Sequence, residues 1–94
     1  MVIIQLIVQF HLPGCTSLKE KRQRLSGLRQ RFGKHPSTAV IESNYQDNLT
    51  RSEWTFTIAG NSASSVEPVY SQIENYLHEA IDGYVVNIER HTLQ

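Results

Sequence analysis

The sequence predicts one α+β domain of order βαββαβ, on three observations. Apolar residues alternate at period two near residues 2–10, 38–44, 51–59 and 84–88. Two helical repeats, each with a capping signal, lie between them. Turn residues sit at the junctions. With 94 residues, the whole chain, 1–94, makes one domain near the small end of the usual range, so a single core must serve every element.

In the first strand, alternation puts Val2, Ile4, Leu6, Val8 and Phe10 on one face and Ile3, Gln5, Ile7 and Gln9 on the other. One apolar and one mixed face suit a central strand covered by helices on one side, and Pro13-Gly14 stops it. Ser17-Leu18-Lys19-Glu20 has capping-box spacing, with Ser17 as N-cap and Glu20 reaching back to its amide. The first helix repeats Leu18, Leu25, Leu28 and Phe32 on one face, and Gly33 and Pro36 end it. Gly27 in its middle costs about 1 kcal/mol relative to Ala, so the helix relies on packing.

A shorter strand over 38–44 centres on Ala39-Val40-Ile41, and Tyr45-Gln46-Asp47-Asn48 is turn chemistry. The third strand points Trp54, Phe56 and Ile58 one way and Glu53, Thr55 and Thr57 the other. Gly60-Asn61-Ser62 breaks it, and Ser64 to Glu67 has the spacing of a second capping box. The second helix buries Val66, Val69, Tyr70, Ile73, Leu77 and Ile81, with Pro68 tolerated in or next to the first turn. After Asp82-Gly83, Tyr84, Val86 and Ile88 mark the inward face of the last strand. Right-handed crossovers turn this order into a ferredoxin-like two-layer sandwich, a four-stranded antiparallel sheet with two helices on one face.

Composition narrows the function classes. The single cysteine, Cys15, can close no internal disulfide and make no cysteine zinc cluster. The N-terminus lacks a basic leader and cleavage signal, and no apolar stretch approaches the roughly 20 residues of a membrane helix. The expectation is a cytoplasmic protein with no membrane role. Net charge is zero, yet seven of nine basic residues fall between Lys19 and Lys34, where Glu20 is the only acid.

His11-Leu12-Pro13-Gly14 followed by Ser17-Leu18-Lys19-Glu20-Lys21-Arg22 resembles the first signature of the YlxP-like family of bacterial proteins. Gln46-Asp47, with Arg51 and Glu53, resembles that family's second block, although Asn44-Tyr45 stand where the family often has Asp-His. The resemblance spans the chain and implies a ferredoxin-like fold, a bacterial cytoplasmic location and a ribosome-related role. It implies no activity.

The strongest candidate site is the first helix. Lys19, Lys21, Arg22, Arg24, Arg29, Arg31 and Lys34 form a basic set suited to phosphate backbones, each contact releasing a condensed counterion. The plainer reading is a solvated face whose arginine stems cover the core edge. Lys21 falls within the apolar arc. It must snorkel past the sheet edge or pair with an acid, and Asp47 is the expected partner in a pocket formed with Ser17, Gln46 and Arg51. The 13–17 loop offers helix N-terminal amides to anions, reinforced by Lys19, Lys21 and Arg22, although Ser17 occupies some of them.

Other chemistry finds no constellation. Acylphosphatase catalysis, known on this fold, wants an arginine in the loop after the first strand, and Pro13-Gly14-Cys15-Thr16-Ser17 has none. His11 and Cys15 are too few for a structural metal site. Positive charge near Cys15 would lower its pKa, but no histidine is placed as its base. The open sheet face, expected to show Ile3, Gln5, Ile7, Gln9, Glu53, Thr55, Thr57, Val85, Asn87 and Glu89, lacks the stacked aromatics that read RNA through a sheet. The expectation is a non-enzymatic binding domain without cofactor or metal, its partner structured RNA or a ribosomal particle. The alternative is a protein-interaction module, a homodimer in which the basic helix meets Glu67, Glu74 or Glu79 of a second copy.

Overall fold

The computed structural model describes residues 1–93 and has six elements. They are β1 (Val2–His11), α1 (Leu18–Phe32), β2 (Thr38–Asn44), β3 (Arg51–Gly60), α2 (Ala63–Glu79) and β4 (Tyr84–Leu93). The order is βαββαβ, and one antiparallel sheet runs β2-β3-β1-β4. This is the ferredoxin-like sandwich that the alternation predicts. β1 lies inside the sheet because one of its faces is wholly apolar. Ile4, Leu6, Val8 and Phe10 all point into a core closed by Trp54, Phe56 and Ile58 of β3, Leu25, Leu28 and Phe32 of α1, and Val66, Ile73 and Leu77 of α2. Each such side chain contributes about 1.5–3 kcal/mol by leaving water.

Three local expectations change. β4 pairs with β1 through a register shift between Gln9 and Phe10, so Phe10 faces Val85 while Val8 faces Ile88. The extra residue reverses the parity of the strand's first half. Val85 therefore turns to the core with Ile88, whereas Tyr84 and Val86 are exposed.

The second correction concerns α2, which begins at Ala63, earlier than the Ser64–Glu67 spacing implied. Its cap is Ser62, whose amide donates to Ser65 Oγ at 3.3 Å while the Ser65 hydroxyl donates to the Ser62 carbonyl at 2.7 Å. Pro68 is thus the sixth helical residue, two residues deeper than expected. Glu67, freed from capping, forms a bidentate ion pair with Arg90 of β4.

At the start of α1, Ser17 caps as expected, its Oγ accepting from the Glu20 amide at 3.0 Å. Glu20, however, accepts from the Thr16 amide at 2.9 Å, one residue before the expected donor. Gly14, at φ +68, makes the turn from β1 toward this cap.

Gly27 has a packing reason for its place in mid-helix. The Tyr76 hydroxyl of α2 lies where a Cβ would be, so the glycine lets the two helices close over Phe32, whose ring meets Tyr76 edge-on at 5.4 Å. Gly27→Ala should destabilise the protein by about 1–3 kcal/mol despite its better helix propensity. Tyr76→Phe should recover part of that loss, because it removes the colliding oxygen. Urea denaturation of the single and double variants tests this.

Candidate functional site

Lys21 is the pivot of the region around α1. It is 3% exposed, and its ammonium is enclosed by three oxygens. Glu42 Oε2 of β2 lies at 3.0 Å, the Tyr45 carbonyl at 2.6 Å and the Gln46 carbonyl at 3.4 Å. Three donors meet three acceptors, which is what a buried ammonium requires. The expected partner, Asp47, is replaced by Glu42, whose Oε2 also accepts from the buried Ser52 hydroxyl at 2.6 Å. Lys21 thus ties α1 to β2 and to the β2–β3 turn, and it is withdrawn from any phosphate-binding set.

The turn is shaped to serve this bond. Tyr45 sits at φ +62, an uncommon conformation for a bulky residue. Its carbonyl accepts from Lys21, its amide donates to Asn44 Oδ1 at 2.8 Å, and its ring lies 4.2 Å under the Arg51 guanidinium. These contacts hold a backbone that would otherwise relax. Arg51 also donates to Tyr45 Oη at 3.0 Å. Of the four residues expected around Lys21, Gln46 and Asp47 line a groove beside it. Ser17 is the helix cap and Arg51 the support of the turn.

That groove, about 420 Å³, runs between α1 and the β2–β3 turn. Leu18, Leu25 and Trp54 give it apolar surface, and Arg22, Ser26, Arg29 and Gln30 line it from the helix. Trp54 is 5% exposed and its indole N–H has no hydrogen-bond partner among the described residues. Arg29 lies 5.3 Å from the centre of its ring. The sequence placed Trp54 inside and Arg29 on the basic helix but did not join them. The missing signal was the parity of β2: with Val40 inward, Glu42 also faces α1, two residues along.

The other cations of α1 and of the turn that follows it separate into kinds. Arg24 is held by the Pro13 carbonyl at 2.9 Å, by Glu20 at 3.6 Å and by Asp82 at 3.6 Å, so it fastens the helix start to the turn before β4. Arg31 stacks on Tyr76 at 5.2 Å and on Phe32 at 5.9 Å. Lys19, Arg22, Arg29, Arg31 and Lys34 are exposed and make no ion pair among the described residues.

Two minor expectations also change. Burial pushes the Cys15 thiol up, reinforced by its hydrogen bond with Glu20, and this outweighs the lowering by Arg24. The helix N-terminus offers little to an anion, because Glu20 takes the Thr16 amide and Ser17 Oγ the Glu20 amide. The acids proposed to receive a second copy's basic helix are partly engaged: Glu67 binds Arg90, and Glu74 accepts from Tyr70 at 2.7 Å. No group of three metal-ligating side chains occurs among the described residues, and no described helix is long and apolar enough to cross a membrane.

Comparison with known proteins gives a family, and one solved structure with a TM-score above 0.5 shares the fold. A family profile described as "Protein of unknown function (DUF503)" matches residues 3–90. No curated protein matches. Among solved structures, the de novo designed protein Ferredog-Diesel is similar over 98% of this chain and 84% of its own, at 12% identity and a TM-score of 0.51. The protein At3g17210 from Arabidopsis thaliana is similar over 98% of this chain and 93% of its own, at 8% identity and a TM-score of 0.45.

Two outcomes test the site's supports. Lys21→Met should cost about 3–5 kcal/mol because it strands Glu42, and Lys21→Met/Glu42→Leu should cost less than that single change. Chemical denaturation of both variants measures the difference. The hydrogen bond with Cys15 and then the Thr16 amide hold the Glu20 carboxyl below its ordinary value of 4.5. A lowered carboxylate stabilises the fold above its unfolded-state pKa and loses that contribution as pH falls through the folded-state value. Glu20→Gln should therefore reduce the slope of melting temperature against pH below about pH 5.

Proposed function

The chain belongs to the DUF503 family, and on that premise we propose that it is a non-catalytic binding domain that engages structured RNA, in a ribosomal setting, through the outward side of α1. The observation that carries this reading is the set of exposed cations without acid partners: Lys19, Arg22, Arg29, Arg31 and Lys34. Cations kept for fold stability are recognisable by contrast. Lys21 is buried against Glu42, and Arg24 is bonded to Pro13, Glu20 and Asp82. Lys19, Arg22, Arg29 and Arg31 sit on one helix anchored at its buried side, and Lys34 follows just past its C-cap, so these charges are presented with fixed spacing. Phosphate contacts of this kind position RNA and give strong salt dependence, without by themselves reading sequence.

The open sheet face gives less support to RNA binding. It shows Gln5, Gln9, Glu53 and Glu89 and, among the described residues, no stacking aromatic pair. A second reading, self-association, is favoured by the exposed apolar residues of the two edge strands: Ile41 on β2, and Tyr84, Val86 and Leu93 on β4. Sedimentation over a concentration series should show a mass that rises toward two chains if that reading holds.

Binding to ribosomal subunits and structured RNA across a salt series tests the first reading. Each phosphate contact should contribute about −0.7 to −0.9 to the slope of log affinity against log salt. Lys19→Glu/Arg22→Glu/Lys34→Glu, which spares the structural Arg24, should flatten that slope by about 2–3. Absence of binding at low salt, or an unchanged slope in the folded variant, would contradict it.

A further inference from the structure

We propose that the groove between α1 and the β2–β3 turn binds a single nucleotide, its base on the Trp54 side and its phosphate on Arg22 and Arg29. The inference rests on reading α1 as a phosphate-binding helix and names the ligand of its β2 flank. It is carried by the orphaned Trp54 indole together with two arginines that have no acid partner.

Burying a hydrogen-bond donor without an acceptor is costly. Trp54 Nε1 is such a donor, on a residue that lines an open groove of about 420 Å³. Its neighbours Leu18 and Leu25 extend the apolar surface. A flat, aromatic ligand lying on Leu18 and Leu25 with its edge toward the indole would supply the missing acceptor through a ring nitrogen or carbonyl oxygen.

Arg29 now occupies the indole, 5.3 Å from the ring centre. An exposed guanidinium on a ring is a weak contact, so Arg29 can leave the indole when an anion enters the groove. The displaced guanidinium then turns to the phosphate. Arg22 lies seven residues earlier on the same flank, about 10 Å along the axis, a span on the scale of one nucleotide from base to phosphate.

The electrostatics select a small anion. Lys21 and Glu42 neutralise one another, and Ser52 completes the Glu42 shell. Arg22 and Arg29 are opposed at the rim by Asp47, which makes no ion pair or side-chain hydrogen bond among the described residues. The balance of one positive charge suits a single phosphate better than a triphosphate. Asp47 also offers an acceptor to a base amino group.

Trp54 is the only tryptophan, so its fluorescence and its one indole N–H resonance report on the groove directly. The folded chain is titrated with nucleoside 5′-monophosphates, a single-stranded oligonucleotide and inorganic phosphate. Saturable quenching with a shift of the indole resonance is expected for the nucleotides and not for phosphate. Arg22→Ala and Arg29→Met, checked for an unchanged melting profile, should each weaken it by about tenfold, or ~1.4 kcal/mol. Tighter binding of the oligonucleotide would identify an unpaired RNA nucleotide as the source, and tighter binding of the monophosphate a free nucleotide. An unchanged Trp54 signal with every nucleotide would overturn the groove proposal. If RNA still bound with a steep salt slope, the reading of α1 would stand without it. Quenching by inorganic phosphate alone would also overturn it. Saturation by monophosphates without any RNA binding would keep the groove proposal and sink the RNA reading.

Discussion

The buried contact between Lys21 and Glu42 sets the geometry of the whole candidate region. A lysine ammonium in the interior is tolerated only when each of its donors has an oxygen to meet, and here a carboxylate and two carbonyls do so. The consequence is positional. α1 is pulled against β2, and the β2–β3 turn is bent until Tyr45 enters the left-handed region so that its carbonyl reaches the ammonium. The groove beside α1 is lined by this same turn, through Gln46 and Asp47.

The division of labour among cations follows from that anchor. A helix carrying six basic residues and one acid would, without a fixed orientation, present an unspecific cloud of charge. Lys21 and Arg24 instead turn their charge to acids of the same chain, Lys21 to Glu42 in the interior and Arg24 to Glu20 and Asp82 at the surface. Orientation fixed, Arg22 and Arg29 fall on the β2 flank, whereas Arg31 lies on the α2 flank over Tyr76. Gly27 contributes by letting α2 approach closely enough for this second flank to be aromatic.

Much of this was legible in the sequence, and the failures have physical causes. Alternation in β1 and β3 is long and uninterrupted, so their inward faces and the sheet they build could be read directly. β4 could not, because a bulge inserts one residue opposite Phe10 and parity rules carry no warning of it. The α2 start was obscured by Ser62, Ser64 and Ser65, any of which can cap, and packing decided for the earliest. The odd position of Lys21 was visible from helical spacing alone. Its partner was not, since β2 is too short and too evenly apolar at Ala39-Val40-Ile41 to reveal that Glu42 faces inward. The groove depends on residues from three elements, Arg29, Glu42 and Trp54, whose proximity appears only when the sheet order is known.

The central claim is that nucleic acid meets the β2 flank of α1 and not the sheet. Mapping amide shifts of the labelled protein during titration with structured RNA tests it most directly. The account predicts that shifts gather at Lys19, Arg22, Ser26, Arg29 and Asp47 and at the Trp54 indole, with the sheet face unmoved. Shifts confined to Gln5, Ile7, Thr55 and Asn87 on the open face, or no shifts at low salt, would contradict it.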